Sequence, residues 1–310
     1  MNGTDGTEVQ SLAERVPRSR VFQGLLLATR PKQWTKNLLL FFGLIFALKL
    51  FDQRLAVLAA AGFLVFCAIS SAVYLINDVA DVEKDRQHPV KRKRPLAAGI
   101  VQPGQAIALA AVLVAVALPV AFMLRPLFGL VTLGYLVLML AYSFLLKHVV
   151  LIDVFAIAAG FVIRAAAGAI VVEVPISPWL YVCTVLAALF VGLAKRRHEL
   201  VLLNSGASSH RRILDEYSPE FLDQLITIVT AATVMAYSLY TFSADNLPKN
   251  HAMMLTTPFV LYGIFRYLYL VYMRNAGGSP EEVLLKDVPF LANALLWMGA
   301  AVAILYFFRS

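Results

Sequence analysis

Apolar residues run along this chain in long stretches separated by short polar segments. Nine stretches stand out: Asn37–Leu50 (or from Phe22), Leu55–Ile76, Gln105–Leu124, Leu127–Leu146, Leu151–Val172, Pro178–Ala194, Leu225–Phe242, Leu255–Met273 and Val288–Phe308. Most approach the roughly 20 residues that a helix needs to cross a hydrocarbon core. Period-two alternation is absent, which argues against a barrel. The pattern predicts an all-α polytopic membrane protein with nine transmembrane helices. Residues 21–310 read as one domain. Residues 1–20 are polar, carry no signal-peptide pattern, and read as a disordered cytoplasmic tail.

Composition sharpens this picture. The 310 residues are 60% hydrophobic and 15% charged, against about 25% charged in an ordinary soluble domain. The formal charge is +8, but the basic residues sit in short loops between apolar spans, so no nucleic-acid partner is expected. Twenty of the 27 Lys and Arg residues fall on the N-terminal side of the spans and five on the other, with Arg164 and Arg266 inside spans. The positive-inside rule then puts the N-terminus and the two long loops, Asn77–Pro103 and Lys195–Asp223, in the cytoplasm and the C-terminus outside a cytoplasmic (inner) membrane. Cys67 and Cys183 lie in apolar runs with no CxxC or Cys/His cluster, so neither zinc nor a disulfide framework is expected. Self-association as a homo-oligomer is left open.

Candidate chemistry concentrates in the first long loop. Asp78, Asp81 and Asp85 follow the second span; on a continuing helix, at 100° per residue, they stay within about 60° of one another and Glu83 points away. Such carboxylates repel, and a divalent cation would relieve the repulsion. Mg²⁺ takes one or two carboxylates and completes its shell with water and phosphate oxygens. A solvated acidic helix end is the plainer alternative. Arg86, Lys91, Arg92, Lys93 and Arg94 come next. On their own they would suit an anionic-lipid patch; beside the carboxylates they suit a phosphate clamp, because the planar Arg fork matches phosphate oxygens. Asp81, Asp85, Arg86 and Arg94 would then bracket a metal–diphosphate unit.

The run Asn77-Asp78-x-x-Asp81-x-x-x-Asp85, the segment Arg94-Pro-Leu-Ala-Ala-Gly99 and the stretch Arg30-Pro-Lys-Gln-Trp-Thr-Lys36-Asn37 together resemble the UbiA superfamily of intramembrane prenyltransferases, over nearly the whole chain. The resemblance implies a nine-helix bundle with cytoplasmic cap loops, Mg²⁺ on Asp78, Asp81 and Asp85, and substrate contacts from Lys36, Asn77, Arg86, Lys91 and Arg94. One departure matters. Where that family carries a second Asp-rich motif, this chain has Lys195-Arg196-Arg197-His198-Glu199. Exchanging acids for bases disfavours a second metal and favours a metal-free phosphate. With Tyr142, Lys147 and Asp153, this is similar to the superfamily's phosphoribosyl-transferring branch. The resemblance therefore implies transfer from phosphoribosyl pyrophosphate to a polyprenyl phosphate such as decaprenyl phosphate, in making a cell-wall arabinan precursor.

That chemistry agrees with the residues present. A lipid phosphate monoester is already largely ionised at neutral pH, its second pKa being about 6, so no strong general base is required. Asp153 is available to orient a ribose hydroxyl or a cation. Lys147 also fits a snorkelling interface lysine, and Lys195 and Arg196 could simply pair with Glu199. Arg164, three turns along from Asp153 among Ala156, Gly160 and Gly168, must face the bundle interior, either as a structural partner or as a substrate group. A prenyltransferase acting on an aromatic or other acceptor is the alternative enzyme. An anion transporter fits less well, because there is no internal repeat and the charges gather at one face.

Overall fold

The computed structural model describes residues 17–307 except 48, 176–177, 205–211, 245–246, 275–282 and 284–285. Eleven α-helices are described: α1 Arg18–Ala28, α2 Leu40–Phe46, α3 Gln53–Ala80, α4 Val82–Gln87, α5 Pro103–Leu124, α6 Pro126–Phe144, α7 Ile152–Val171, α8 Pro178–Asn204, α9 Pro219–Ser243, α10 Thr257–Met273 and α11 Val288–Phe307. Among the described residues, seven segments are long and apolar enough to cross a membrane: α3, α5, α6, α7, α9, Ala252–Met273 (with α10) and α11.

Local chemistry sets the boundaries. Asp52 caps α3 by accepting from the Leu55 N–H at 3.1 Å, and Ser218 caps α9 through the Phe221 N–H at 3.1 Å. Prolines stand at the first or second position of α5, α6, α9 and α10, where a missing N–H costs nothing.

The first apolar span departs from the expected single helix. Arg30 takes left-handed backbone (φ 54°) before Pro31, a 3₁₀ helix runs over Pro31–Leu39, and only then does α2 begin. The reason is packing. A Cβ on Gly168 of α7 would fall 2.1 Å from the Leu40 carbonyl oxygen, and one on Gly43 would fall 2.8 Å from the Ala169 Cα. The two backbones touch there, as small residues at membrane helix crossings allow. The helix α1 also begins at Arg18, inside the stretch read as tail; residues 1–16 lie outside the described ones.

α7 joins two cores of the bundle. Its first turns, with Val154 and Ala158, join a core with Leu189, Phe190, Leu222, Ile226 and Tyr267. Its last turns, with Ala167 and Val171, join another with Leu40, Phe66, Phe128, Tyr135 and Leu136. A third, smaller core seals the end that bears Asp78, from Ala28, Ala72, Leu75, Leu96, Val101 and Ala106. The candidate site sits at that end.

Candidate active site

The Asp-rich segment is not one continuous helix. α3 ends at Ala80, Asp81 serves as its C-cap (φ −101°, ψ 10°), and α4 restarts at Val82. This break splits the carboxylates. Asp78 and Asp85 are both buried and share one guanidinium: Arg94 Nη1 lies 3.0 Å from Asp78 Oδ1 and 2.6 Å from Asp85 Oδ2. Arg30 pairs with the same Asp78 oxygen. Asp81 turns aside to Lys147, whose Nζ lies 3.0 Å from both of its oxygens. The expected one-face triad is therefore a buried pair plus a separate ion pair, and no cluster of three metal-ligating side chains occurs among the described residues.

The flanking bases sort differently from expectation as well. Arg86 lies outside the Asp78–Arg94–Asp85 clasp; it pairs with Glu83 at 2.7 Å, both well exposed. Lys91 lies on a short 3₁₀ turn, and its N–H donates to His88 Nδ1 at 3.3 Å. Asn77 adjoins the clasp, and its carbonyl accepts from the Asp81 N–H at 2.9 Å.

The second group is built on α7 and α8. α8 does not end at the basic run but continues to Asn204, so Lys195, Arg196 and Glu199 are helical. Arg196 is 1% exposed and fully engaged: Nε reaches Asp153 Oδ2 at 2.6 Å, Nη1 pairs with Glu199, and Nη2 reaches the Tyr142 hydroxyl at 3.2 Å. Asp153, 0% exposed, also accepts from the Tyr217 hydroxyl at 2.9 Å, which itself accepts from the Leu151 N–H at 2.7 Å. Burial, reinforced by the Asp153 carboxylate, pushes the Tyr217 phenol up to about 12, so it stays a donor at neutral pH. Lys195 is partly exposed on the same helix.

His88 lies within electrostatic reach of both groups. His88 feels Lys91, Asp85 and Arg94 from the first loop and Glu199 from α8. Burial, then Lys91, holds its imidazole below the usual range, so it is neutral at pH 7.

Arg164 belongs to neither group. Its Nε donates to Asn37 Oδ1 at 2.8 Å, Nη1 to the Gly160 carbonyl at 3.0 Å, and Nη2 to the Tyr135 hydroxyl at 2.5 Å. Asn37 in turn donates to Cys67 Sγ and Ser70 Oγ, both at 3.3 Å. With its guanidinium so engaged, Arg164 links the 3₁₀ segment, through Asn37, to α3, α6 and α7.

Lys36, bonded to Gln33, lies elsewhere: it lines a cavity of about 420 Å³ between the 3₁₀ segment, α2, α7, α8, α9, α10 and α11. Phe42, Phe161, Trp179, Tyr240 and Trp297 make its walls predominantly apolar. A chain with both a buried acid–base clasp and an apolar cavity has the chemistry for a substrate that is charged at one end and greasy at the other.

The sequence pattern of the UbiA prenyltransferase family matches residues 37–279. The chain belongs to the UbiA prenyltransferase family. This UbiA-family protein is 35% identical to the decaprenyl-phosphate phosphoribosyltransferase of Corynebacterium glutamicum, over 97% of this chain and 92% of that one. It is 36% identical to the enzyme of the same name from Mycobacterium tuberculosis, over 93% and 97%. Among solved structures it resembles a UbiA homolog from Archaeoglobus fulgidus bound to GPP and Mg²⁺, with a TM-score of 0.69 at 20% identity, covering 91% of this chain and 99% of that one.

Three residues of this UbiA-family site were not singled out from the sequence. Arg30 lies within the quoted N-terminal motif, and its place before a proline was the available signal. His88 lies between the Asp and Arg runs. Tyr217, in the second loop, carries no local signal at all.

Proposed function

We propose that this protein transfers the 5-phosphoribosyl group of phosphoribosyl pyrophosphate to a polyprenyl phosphate, decaprenyl phosphate being the acceptor named for its relatives. An oxygen of the lipid phosphate forms a bond to the anomeric carbon, the bond to pyrophosphate breaks, and pyrophosphate leaves. The observation that carries this reading is the near-full-length similarity to two enzymes of that name.

The donor set fits Mg²⁺. Asp78 and Asp85 converge on one guanidinium, and two carboxylates with open positions for phosphate oxygens are what that ion prefers. Bound there, Mg²⁺ would neutralise charge developing on the pyrophosphate leaving group. Arg94 and Arg30 offer forked donors to the diphosphate. Lys147 holds Asp81, and Tyr142 and Glu199 hold Arg196. Lys36 receives the lipid phosphate, and the cavity beyond it takes the first isoprenoid units. The lipid phosphate, already ionised, needs no base.

The topology that suits this chemistry has nine crossings. The seven apolar helices are joined by α8 and by the 3₁₀–α2 pair, and the clasp faces the cytoplasm, as the twenty-to-five distribution of basic residues supports. Phosphoribosyl pyrophosphate then reaches the site directly.

The test is label transfer by purified protein with Mg²⁺, labelled phosphoribosyl pyrophosphate and decaprenyl phosphate, run beside an assay with a prenyl diphosphate and 4-hydroxybenzoate. Lipid-linked phosphoribose in the first supports the reading; product only in the second overturns it.

A further inference from the structure

α1 has an unusual placement. Its inner face is small: a Cβ on Gly24 would lie 2.8 Å from Val101 Cγ2 and 3.0 Å from Ile100 Cγ2, and Ala28 is buried with Leu96 and Val101. Val101 lies two residues before α5, and Asp78, which Arg30 grips, lies two residues before the end of α3. Both anchor points are thus at the same end of the bundle. α1 therefore runs along the membrane boundary rather than across it.

Its outer face carries three large apolar residues beside Ser19 and Gln23. Phe22 is 63% exposed, Leu26 52% and Leu27 67%, and Arg18 and Arg20 at its start are exposed as well. A short helix with large apolar residues outward and arginines at one end matches the boundary layer of an anionic bilayer. Apolar side chains reach the acyl region there, and guanidinium groups meet lipid phosphates.

We propose that α1 is a docking helix for the anionic headgroup layer, with Phe22, Leu26 and Leu27 in the acyl boundary and Arg18 and Arg20 on lipid phosphates. Docking fixes the two contacts that α1 makes with the site. It presses on the Pro95–Val101 turn that follows Arg94, and through Arg30, whose guanidinium also lies 4.8 Å from the Tyr74 ring centroid, it holds Asp78. Lipid composition would thereby set how often the clasp is assembled. The docking surface stands independently of the proposed reaction; its effect on rate rests on that reading.

The experiment uses the full chain in nanodiscs of phosphatidylcholine, with or without phosphatidylglycerol. Leu26→Cys, in a Cys67→Ser and Cys183→Ala background, carries an environment-sensitive fluorophore. Bromine placed shallowly on the lipid chains should quench it, aqueous iodide should not, and phosphatidylglycerol should strengthen the difference. Each arginine removed (Arg18→Gln, Arg20→Gln) should shift the docked-to-undocked ratio about five-fold toward undocked. A fluorophore quenched by iodide and indifferent to bromolipid overturns the docking surface. In the rate arm, phosphatidylglycerol should raise wild-type transfer several-fold and leave the Arg18→Gln/Arg20→Gln variant unmoved. Equal responses overturn the coupling. No transfer by wild type in any lipid would instead refute the proposed reaction, and the quenching result would still decide the docking surface.

Discussion

Asp153 at the start of α7 holds Arg196 of α8 at 2.6 Å, and neither residue is exposed to solvent by more than 1%. Removing one partner of a buried ion pair leaves an uncompensated charge and costs about 3–5 kcal/mol, whereas removing both can cost far less. Arg196→Ala should therefore lower the thermal unfolding midpoint in detergent more than Asp153→Ala/Arg196→Ala does. A free phosphate ligand would behave differently: its loss would raise a Michaelis constant and leave the midpoint alone. Tyr217→Phe removes the other contact to Asp153 and should cost about 1–3 kcal/mol by leaving a buried acceptor short of a donor. Circular dichroism melting of the three variants beside wild type decides the matter.

The Asp78–Arg94–Asp85 clasp makes a second prediction. Asp78→Asn and Asp85→Asn should each lower transfer about 100-fold or more, the loss of several kcal/mol of charge stabilisation, with the fold intact. Chelation of Mg²⁺ should silence wild type reversibly. Asp81→Asn should lower transfer less, because Asp81 serves Lys147 rather than the clasp. Initial rates across a Mg²⁺ series separate the three. Equal loss in all three variants would return Asp81 to the metal.

Helix existence and the charged end of the bundle were legible in the sequence because apolar length and basic-loop placement are local signals. The break at Asp81 was not. A helix wheel extends a helix wherever nothing forbids it, and no Gly or Pro stands between Asn77 and Gln87. The partners of the bases were hidden for a different reason. Arg196 meets Asp153 across 43 positions and Lys147 meets Asp81 across 66, contacts that only the packing of α7 on α8, and of the α6–α7 connection on the end of α3, creates. The reach of α8 beyond Ala194 was missed because its last turns are charged, and hydropathy ends a span where the membrane ends, not where the helix does.

Arg266 and Asp287 give a prediction in pH. Arg266 reaches both Asp287 oxygens, at 3.1 and 2.9 Å, and Asp287 also accepts from the Phe290 N–H at 2.9 Å at the start of α11. The Arg266 hydrogen bonds hold the Asp287 carboxyl below its ordinary value of 3.8. A carboxyl depressed in the folded state stabilises it fully above the unfolded value and loses that contribution as pH falls through the folded one. The difference in unfolding midpoint between wild type and Asp287→Asn should be constant from neutral pH to just above 4 and vanish at lower pH. A difference that grows on acidification would contradict the pairing.

The apolar cavity supplies the last prediction, because it separates the lipid from the sugar donor. Ala187 and Ala188 of α8 line it together with Phe42, Trp297 and Lys36. Ala187→Phe places a ring where an isoprenoid unit would lie. Displacing one unit forfeits burial worth about 2–3 kcal/mol, so the Michaelis constant for decaprenyl phosphate should rise about 30- to 150-fold. The constant for phosphoribosyl pyrophosphate should stay within about two-fold, since the clasp lies on other elements. Lys36→Ala should raise the lipid constant too, but by loss of a charge-assisted contact, about 10- to 150-fold. A short-chain polyprenyl phosphate distinguishes the two variants. It should escape the Ala187→Phe penalty in part and the Lys36→Ala penalty not at all. If Ala187→Phe instead raises the donor constant and spares the lipid, the cavity is not the acceptor channel and the two substrates have been assigned to the wrong ends of the site.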